Sequence, residues 1–273
     1  MINVVDDILF PEGRPKLKED PIILKTTREI ETLREANRIV ANILQKLGEV
    51  VTPGITTGEL DKIACAMIRN AGAKPAFKGY RMSNRRPYPA CICSSVNEQV
   101  VHGIPGSRVL REGDIVGVDV GVVFKGFVGD AARTYPVGSI SEEAKRLLTA
   151  TEESLYKGIE QARIGNRLQQ ISAAVQKHVE SHGFAVVRDF VGHGVGRKMH
   201  EPPQIPNYTG VGGNPRLEVG MTLALEPMVN QGSWRVKLLD DEWTAVTADG
   251  KLSAHFEHSI AITEDGPYIL SML

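Results

Sequence analysis

Ile115-Val116-Gly117-Val118-Asp119-Val120-Gly121-Val122-Val123, followed by Phe127-Val128-Gly129-Asp130-Ala131-Ala132, is the stretch on which the fold is decided. The first run is apolar enough to be a strand buried on both faces. An aspartate inside such a strand is costly unless it is paired, hydrogen-bonded or bound to a metal. The midpoint between Asp119 and Asp130 falls at Phe124-Lys125, beside Gly126. A hairpin turn there sets the two aspartates opposite each other on adjacent strands. Their Cβ atoms would then lie about 5 Å apart, and like charges that close need a cation between them.

The same anomaly recurs further along. Glu226 lies in Met221-Thr222-Leu223-Ala224-Leu225-Glu226-Pro227, and Glu257 in His255-Phe256-Glu257-His258-Ser259-Ile260. His193 sits in Val191-Gly192-His193-Gly194-Val195-Gly196, where small neighbours let a backbone or ligand come close. Alone, each acid reads as a structural carboxylate and His193 as a satisfied core histidine. Together, four acids and one histidine in glycine-rich apolar strands make a ligand set for two divalent metals. Metals about 3.5–4 Å apart activate water for hydrolysis and clamp the reacting oxygens. His102, in Val100-Val101-His102-Gly103-Ile104-Pro105, and His200, in Met199-His200-Glu201-Pro202-Pro203, need not be ligands. An imidazole beside a metal can donate to a developing oxyanion or a leaving amine; as a single residue, each reads as a surface-loop histidine.

Helices flank these strands. Thr26 to Glu29 and Thr56 to Glu59 spell capping boxes. Ile30, Leu33, Val40, Ile43, Leu44 and Leu47 follow the first at helical spacing, and Leu60, Ile63, Met67 and Ile68 follow the second. Gly72 stands where a glycine cap stops the second helix. Ser141-Glu142-Glu143 opens a helix with Leu147, Leu148, Leu155 and Ile159; another carries Leu168, Ile171, Val175 and Val179, and Gly183 ends it. Leu60 precedes Leu168 by 108 residues, as Ile63 precedes Ile171, and Asp119 precedes Glu226 by 107. A tandem repeat of two helices plus an antiparallel sheet implies a pseudo-twofold α+β domain. Its halves run over about 23–137 and 138–273, after an N-terminal extension of residues 1–22, and the seam between them is a natural site.

The bulk numbers bound the function. The chain has 273 residues, 42% hydrophobic and 24% charged, with 32 Lys plus Arg against 33 Asp plus Glu. A net charge of −1 argues against general nucleic-acid binding and specific DNA recognition. No apolar run reaches the roughly 18 residues of a membrane helix, and Met1–Phe10 has no basic residue for a signal or transit peptide. Three cysteines, Cys65, Cys91 and Cys93, suggest reduced thiols in a cytoplasmic protein.

Asp, Asp, His, Glu and Glu in this order, with these surroundings, resemble the type I, bacterial-type methionine aminopeptidases. The motifs that carry the resemblance are Val116–Gly121, Gly129–Thr134, Gly192–Gly196, Leu225–Met228 and Glu257–Ile260, and the match runs from about Ile23 to the C-terminus. The resemblance implies the pita-bread fold and makes Asp119, Asp130, His193, Glu226 and Glu257 the ligands of two divalent ions, with Asp130 and Glu257 bridging both. It implies that a metal-bridging hydroxide attacks the scissile carbonyl, that Glu226 carries protons, that His102 meets the scissile amide and that His200 meets the carbonyl oxygen. It places Phe77, Tyr88, Cys93, Phe190, Met199 and Trp243, with His102 and His200, around the substrate. Asn97, Gln99 and Ser253 match a monovalent-cation site. The implied substrates are nascent chains bearing an initiator methionine before a small second residue, met by a monomer near the ribosome.

Phe77 and Met199 depart from the family's common pocket types, and Arg81–Pro87 is an insertion between Tyr80 and Tyr88. The metal is left open among Mn, Fe, Co and Zn, because availability decides among them. Two rival expectations are a proline-specific aminopeptidase or prolidase of the same fold and a non-catalytic binding module on it. The first usually has a further N-terminal domain; the second would be expected to have lost ligands. Gly192–Gly196 is not the dinucleotide fingerprint.

Overall fold

Thr26 and Thr56 start the first two helices as their capping boxes require. The Glu29 amide donates to Thr26 Oγ1 at 3.4 Å and the Thr26 amide to Glu29 Oε2 at 3.0 Å. The same reciprocal bonds join Thr56 and Glu59, at 3.2 and 2.8 Å. Helix α1 spans Thr27–Val50 and α2 spans Thr57–Asn70. Ser141 caps α3, Glu142–Gln161, and α4 spans Leu168–Ser181. The α4 cap is not a standard one: the Arg167 amide donates to Gln170 Oε1 at 2.7 Å. Gly72 and Gly183 follow α2 and α4 at φ 68° and 81°, where a side chain would be strained. This computed structural model describes residues 21–82 and 86–273. Residues 1–20 of the expected extension and the centre of the Arg81–Pro87 insertion lie outside them.

The strands are β1 Lys74–Pro75, β2 Ile92–Val96, β3 Gln99–Val101, β4 Ile115–Phe124 and β5 Phe127–Pro136 in the first half. The second half supplies β6 Ala185–Val186, β7 Gly192–Gly194, β8 Glu201–Ile205, β9 Thr222–Leu225 and β10 Met228–Asn230. It continues with β11 Val236–Leu238, β12 Ala245–Thr247, β13 Ser253–His255, β14 His258–Thr263 and β15 Gly266–Ile269. One sheet has the order β1-β4-β2 with β5 on β4; another runs β15-β14-β9-β7-β8. Two smaller sheets, β13-β10-β6 and β11-β12-β3, complete them. Helices α1 and α2 cover the first sheet through Val40, Ile43, Leu47, Leu60 and Ile68, and α3 and α4 cover the second through Leu147, Leu155, Ile171 and Val179. The α+β pita-bread architecture is as expected.

The repeat is real, but its spacing differs from the expected constant 107–108. Helices α2 and α4 each have 14 residues and start 111 residues apart. Their caps, Thr56 and Arg167, and their terminal glycines keep that spacing, so Leu60 matches Ile171 rather than Leu168. The spacing drops to 107 only in the connection to the strands. There Gly113 and Gly220, each at φ 91°, precede Asp119 and Glu226 by six residues.

The β4–β5 hairpin forms one step away from the expected register. Lys125 and Gly126 both take positive φ, 50° and 80°, the signature of a two-residue type I′ turn. Phe124 therefore pairs with Phe127, Asp119 with Ala132 and Gly121 with Asp130. The aspartates share a face as diagonal neighbours rather than sitting directly opposite. Burial on both faces is also corrected. Val116, Val118, Val120 and Val122 are fully buried toward the helices, while half-buried Gly117 and Asp119 belong to the other face, where the candidate site lies.

Two of the three cysteines are not thiols. Cys65 and Cys91 are disulfide-bonded, Cα to Cα 5.7 Å, tying α2 to the start of β2. Only the fold brings together partners 26 residues apart, so their sparse spacing concealed the pair. Among the described residues, no helix is long and apolar enough to cross a membrane.

Candidate metal centre and substrate pocket

Asp130 stands on β5, where α1 lies directly on the strand. A Cβ on Gly129 would come within 2.6 Å of the Ala36 backbone. Asn37, wholly buried, accepts the Asp130 amide at 3.1 Å, and Ser259 Oγ donates to the Asp130 carbonyl at 2.7 Å. The Glu257 amide donates to the Ala132 carbonyl at 2.9 Å, sewing the β13–β14 corner to β5. Asp130 and Glu257 are thus fixed by backbone bonds across the two halves. His193 comes from β7, and Glu226 from the corner between β9 and β10.

Asp130, His193 and Glu257 each bring one ligand atom to within 4.8 Å of the others. His193 Nε2 is 3.3 Å from Glu226 Oε1 and 3.8 Å from Asp130 Oδ2. His193 Nδ1 is 3.0 Å from the Gly194 carbonyl, to which its N–H donates, so Nε2 turns a lone pair toward the acids. Asp119 Oδ1 and Glu257 Oε1 are buried with no hydrogen-bond partner. Burial and mutual repulsion raise the carboxyls of Asp119, Glu226 and Glu257 well above their usual range, and burial pushes Asp130 up to about 7. Burial, with His200 nearby, lowers His193 to about 3. Crowded acids with orphaned oxygens and a histidine held neutral fit divalent cations.

A cluster of apolar side chains adjoins these ligands. Tyr88, Ala90, Cys93 and Trp243 are buried together, with Phe77, Tyr80 and Ile104 against them. Tyr88 is fixed by its hydroxyl, which lies 2.8 Å from the Gly103 carbonyl and 3.1 Å from that of Ile92. Cys93 pairs across β2–β4 with Asp119, so pocket and acids share one strand pair. Phe77 and Met199 meet over Gly121, where a Cβ would come within 2.8 Å of both. His102 stacks edge-on against Phe190 and Trp243, at 5.4 and 6.3 Å. His200 lies 4.5 Å from the His193 ring.

Asn97 and Ser253 also meet, the Ser253 amide donating to the Asn97 carbonyl at 2.9 Å. The side chains of Asn97 and Gln99 tie loops: Asn97 bridges Asp114 and the Ile115 amide, and Gln99 accepts the Val96 amide.

At the site His255 went unassigned in the sequence, and Tyr80, which the resemblance implied at the pocket mouth, has a partner that was not expected. His255 Nε2 is 3.8 Å from Glu226 Oε2, and burial, with His102 nearby, lowers it to about 3. Its position two residues before Glu257 was the available signal. The Tyr80 hydroxyl is 2.7 Å from His200 Nδ1. No local pattern links residues 120 apart.

Fold and centre together define a metal-dependent hydrolase of the pita-bread class. The chain belongs to metallopeptidase family M24, whose model matches residues 31–264. It is 56% identical over 252 residues to the methionine aminopeptidase of Clostridium perfringens, covering 92% of this chain and 99% of that protein. Methionine aminopeptidase 1 of Bacillus subtilis is likewise 56% identical, over 250 residues, with 92% and 99% covered. The crystal structure of the Thermotoga maritima methionine aminopeptidase superposes with a TM-score of 0.89 at 48% identity, over 93% of this chain and all of that one. The prolidase of Pyrococcus furiosus, at 22% identity and a TM-score of 0.72 over 92% of this chain and 66% of its own, shares the fold alone.

Proposed function

We propose that this chain is a two-metal aminopeptidase that removes the initiator methionine from nascent proteins whose second residue is small. The observation that carries this reading is the adjacency of the Asp119, Asp130, His193, Glu226 and Glu257 cluster to a buried apolar cluster. Phe77, Tyr88, Cys93, Met199 and Trp243 suit an unbranched thioether side chain. Asp119, Asp130, His193, Glu226 and Glu257 would hold two divalent ions drawn from Mn, Fe, Co or Zn. Bound there, such ions would supply Lewis-acid activation of water and of the scissile carbonyl.

The side chains do the rest. Glu226, whose buried carboxyl favours protonation, carries a proton from the water to the leaving amine. Burial raises the Tyr80 phenol, which stays protonated and donates to His200 Nδ1. The His200 proton then sits on Nε2 and faces the carbonyl oxygen. His102, held against Phe190 and Trp243, meets the scissile amide. Asn97, Gln99 and Ser253 offer carbonyl and hydroxyl oxygens to one monovalent cation. The enzyme acts as a cytoplasmic monomer; Arg81–Pro87 is either a solvated loop with no role or, through its arginines, a segment drawn toward ribosomal RNA.

Metal-reconstituted protein should release methionine from Met-Gly-Met-Met and leave Ala-Pro peptides intact. Release of alanine from Ala-Pro, with no methionine released, would overturn the reading in favour of a proline-specific enzyme.

A further inference from the structure

Helices α3 and α4 bury one face against the core through Leu155, Ile159, Ile171, Val175 and Val179. On their outer face, three metal-ligating side chains that the peptidase site does not use converge. His178 and His182 are four residues apart and straddle the C-terminus of α4, so they share one side of the helix. Their ring centroids are 4.5 Å apart. Glu153 reaches across from α3 and sets Oε2 3.0 Å from His178 Nε2. One ligand atom from each of the three lies within 4.8 Å of the other two.

We propose that Glu153, His178 and His182 form a second metal site, separate from the peptidase centre, for a borderline divalent ion of the Zn²⁺ or Cu²⁺ class. Two imidazoles select such ions over Mg²⁺ or Ca²⁺, which prefer all-oxygen shells. Zinc bonds of about 2.0–2.1 Å in a tetrahedron put neighbouring ligand atoms about 3.3 Å apart. His178 Nε2 donates to Glu153 Oε2 at 3.0 Å, and an ion replacing that proton would find the two atoms already close to that edge.

The histidine orientation fits as well. His182 Nδ1 lies 2.8 Å from the His178 carbonyl and donates its proton there, leaving Nε2 with a free lone pair. A backbone carbonyl on the far nitrogen is the usual support of a metal-bound histidine. Water completes the shell, because Glu153 and His182 are exposed. The facing cation is Arg146, which donates to the His182 carbonyl at 3.2 Å and pairs with Glu143 at 3.2 Å. It is thus occupied on the backbone side of His182. The bound ion ties α3 to α4 and stabilises the folded chain, since the unfolded chain has no such site.

The test uses full-length chain dialysed against micromolar Zn²⁺, with bound zinc counted by elemental analysis. Wild type should hold one more ion per chain than the double variant His178→Gln, His182→Gln, whatever the occupancy of the peptidase centre. The double variant Asp130→Asn, Glu257→Ala should keep the extra ion. Loaded with Cu²⁺, that variant should show an electron spin resonance spectrum with nitrogen splitting from two imidazoles, which His182→Gln reduces to one. Methionine release by loaded His178→Gln, His182→Gln should match wild type. Equal zinc counts in wild type and the histidine variant would overturn the site. A copper spectrum unchanged by His182→Gln would overturn it equally.

Discussion

A neutral phenol has one proton to give, and the Tyr80 hydroxyl oxygen lies 2.7 Å from His200 Nδ1. Removing the hydroxyl frees the imidazole to take either tautomer. Tyr80→Phe should therefore lower kcat roughly 10-fold, the scale of losing a partner that orients a working histidine. KM and metal content should stay near wild type. A change confined to KM would make Tyr80 a pocket wall instead. Asp130→Asn and Glu257→Ala act differently, because each removes a proposed shared ligand. Both should nearly abolish turnover and reduce bound metal at the peptidase centre, measured under metal limitation; near-normal activity in either would displace the assignment. The acids were legible in the sequence because each interrupts an apolar run of residues. The Tyr80–His200 contact and the place of His255 were not: a tyrosine at a pocket mouth and a histidine beside an acid look ordinary until distant segments converge.

Among the elements, the β4–β5 hairpin sets the floor of the pocket. Phe77 and Met199 pack over Gly121, and a methyl group there meets only the ends of flexible side chains. Gly121→Ala should fold and load metal normally, yet raise KM for methionine peptides several-fold by overfilling the pocket. Unchanged KM would place the substrate elsewhere. Gly129 faces α1 backbone instead, which cannot swing aside. Gly129→Ala should cost about 1–3 kcal/mol of stability, read as a lower midpoint in denaturant. The helices were legible because Thr26, Thr56 and Ser141 caps act within three or four residues. The hairpin register was not. Whether Phe124-Lys125 or Lys125-Gly126 forms the turn depends on Lys125 accepting positive φ, a choice that composition leaves open.

For the whole molecule, the acid cluster couples folding to pH. Unfolded carboxyls ionise at their ordinary values near 4, whereas those of Asp119, Asp130, Glu226 and Glu257 are raised in the fold. The native state therefore holds extra protons between the two ranges, and its stability falls as pH rises through them. His193 and His255, lowered from 6.5 to about 3, act oppositely, but only as pH falls below 6.5. Above that value the carboxyl trend stands alone. Metal-free protein should melt at progressively lower temperature between pH 6.5 and about pH 8, and Mn²⁺ should flatten the slope. A melting temperature that rises over this window without metal would contradict the acid cluster. At this scale the pseudo-twofold plan was legible from repeated helix pairs and matching acids. Its 111-residue spacing in the helices was not, because the leucines chosen to align it were one helical turn out of step.

The Cys65–Cys91 bond leaves Cys93 as the one free sulfhydryl of a chain with three cysteines. That makes the protein a single-label reporter without any engineering. Burial beside Asp119 holds the Cys93 thiol far above its usual value, so a thiol reagent has to wait for the pocket to open. Native protein should take up one reagent per chain slowly, and a bound methionine product should slow it further. Denaturation without reductant should release the same single equivalent at once. The rate of modification then becomes a clock for how often this pocket breathes.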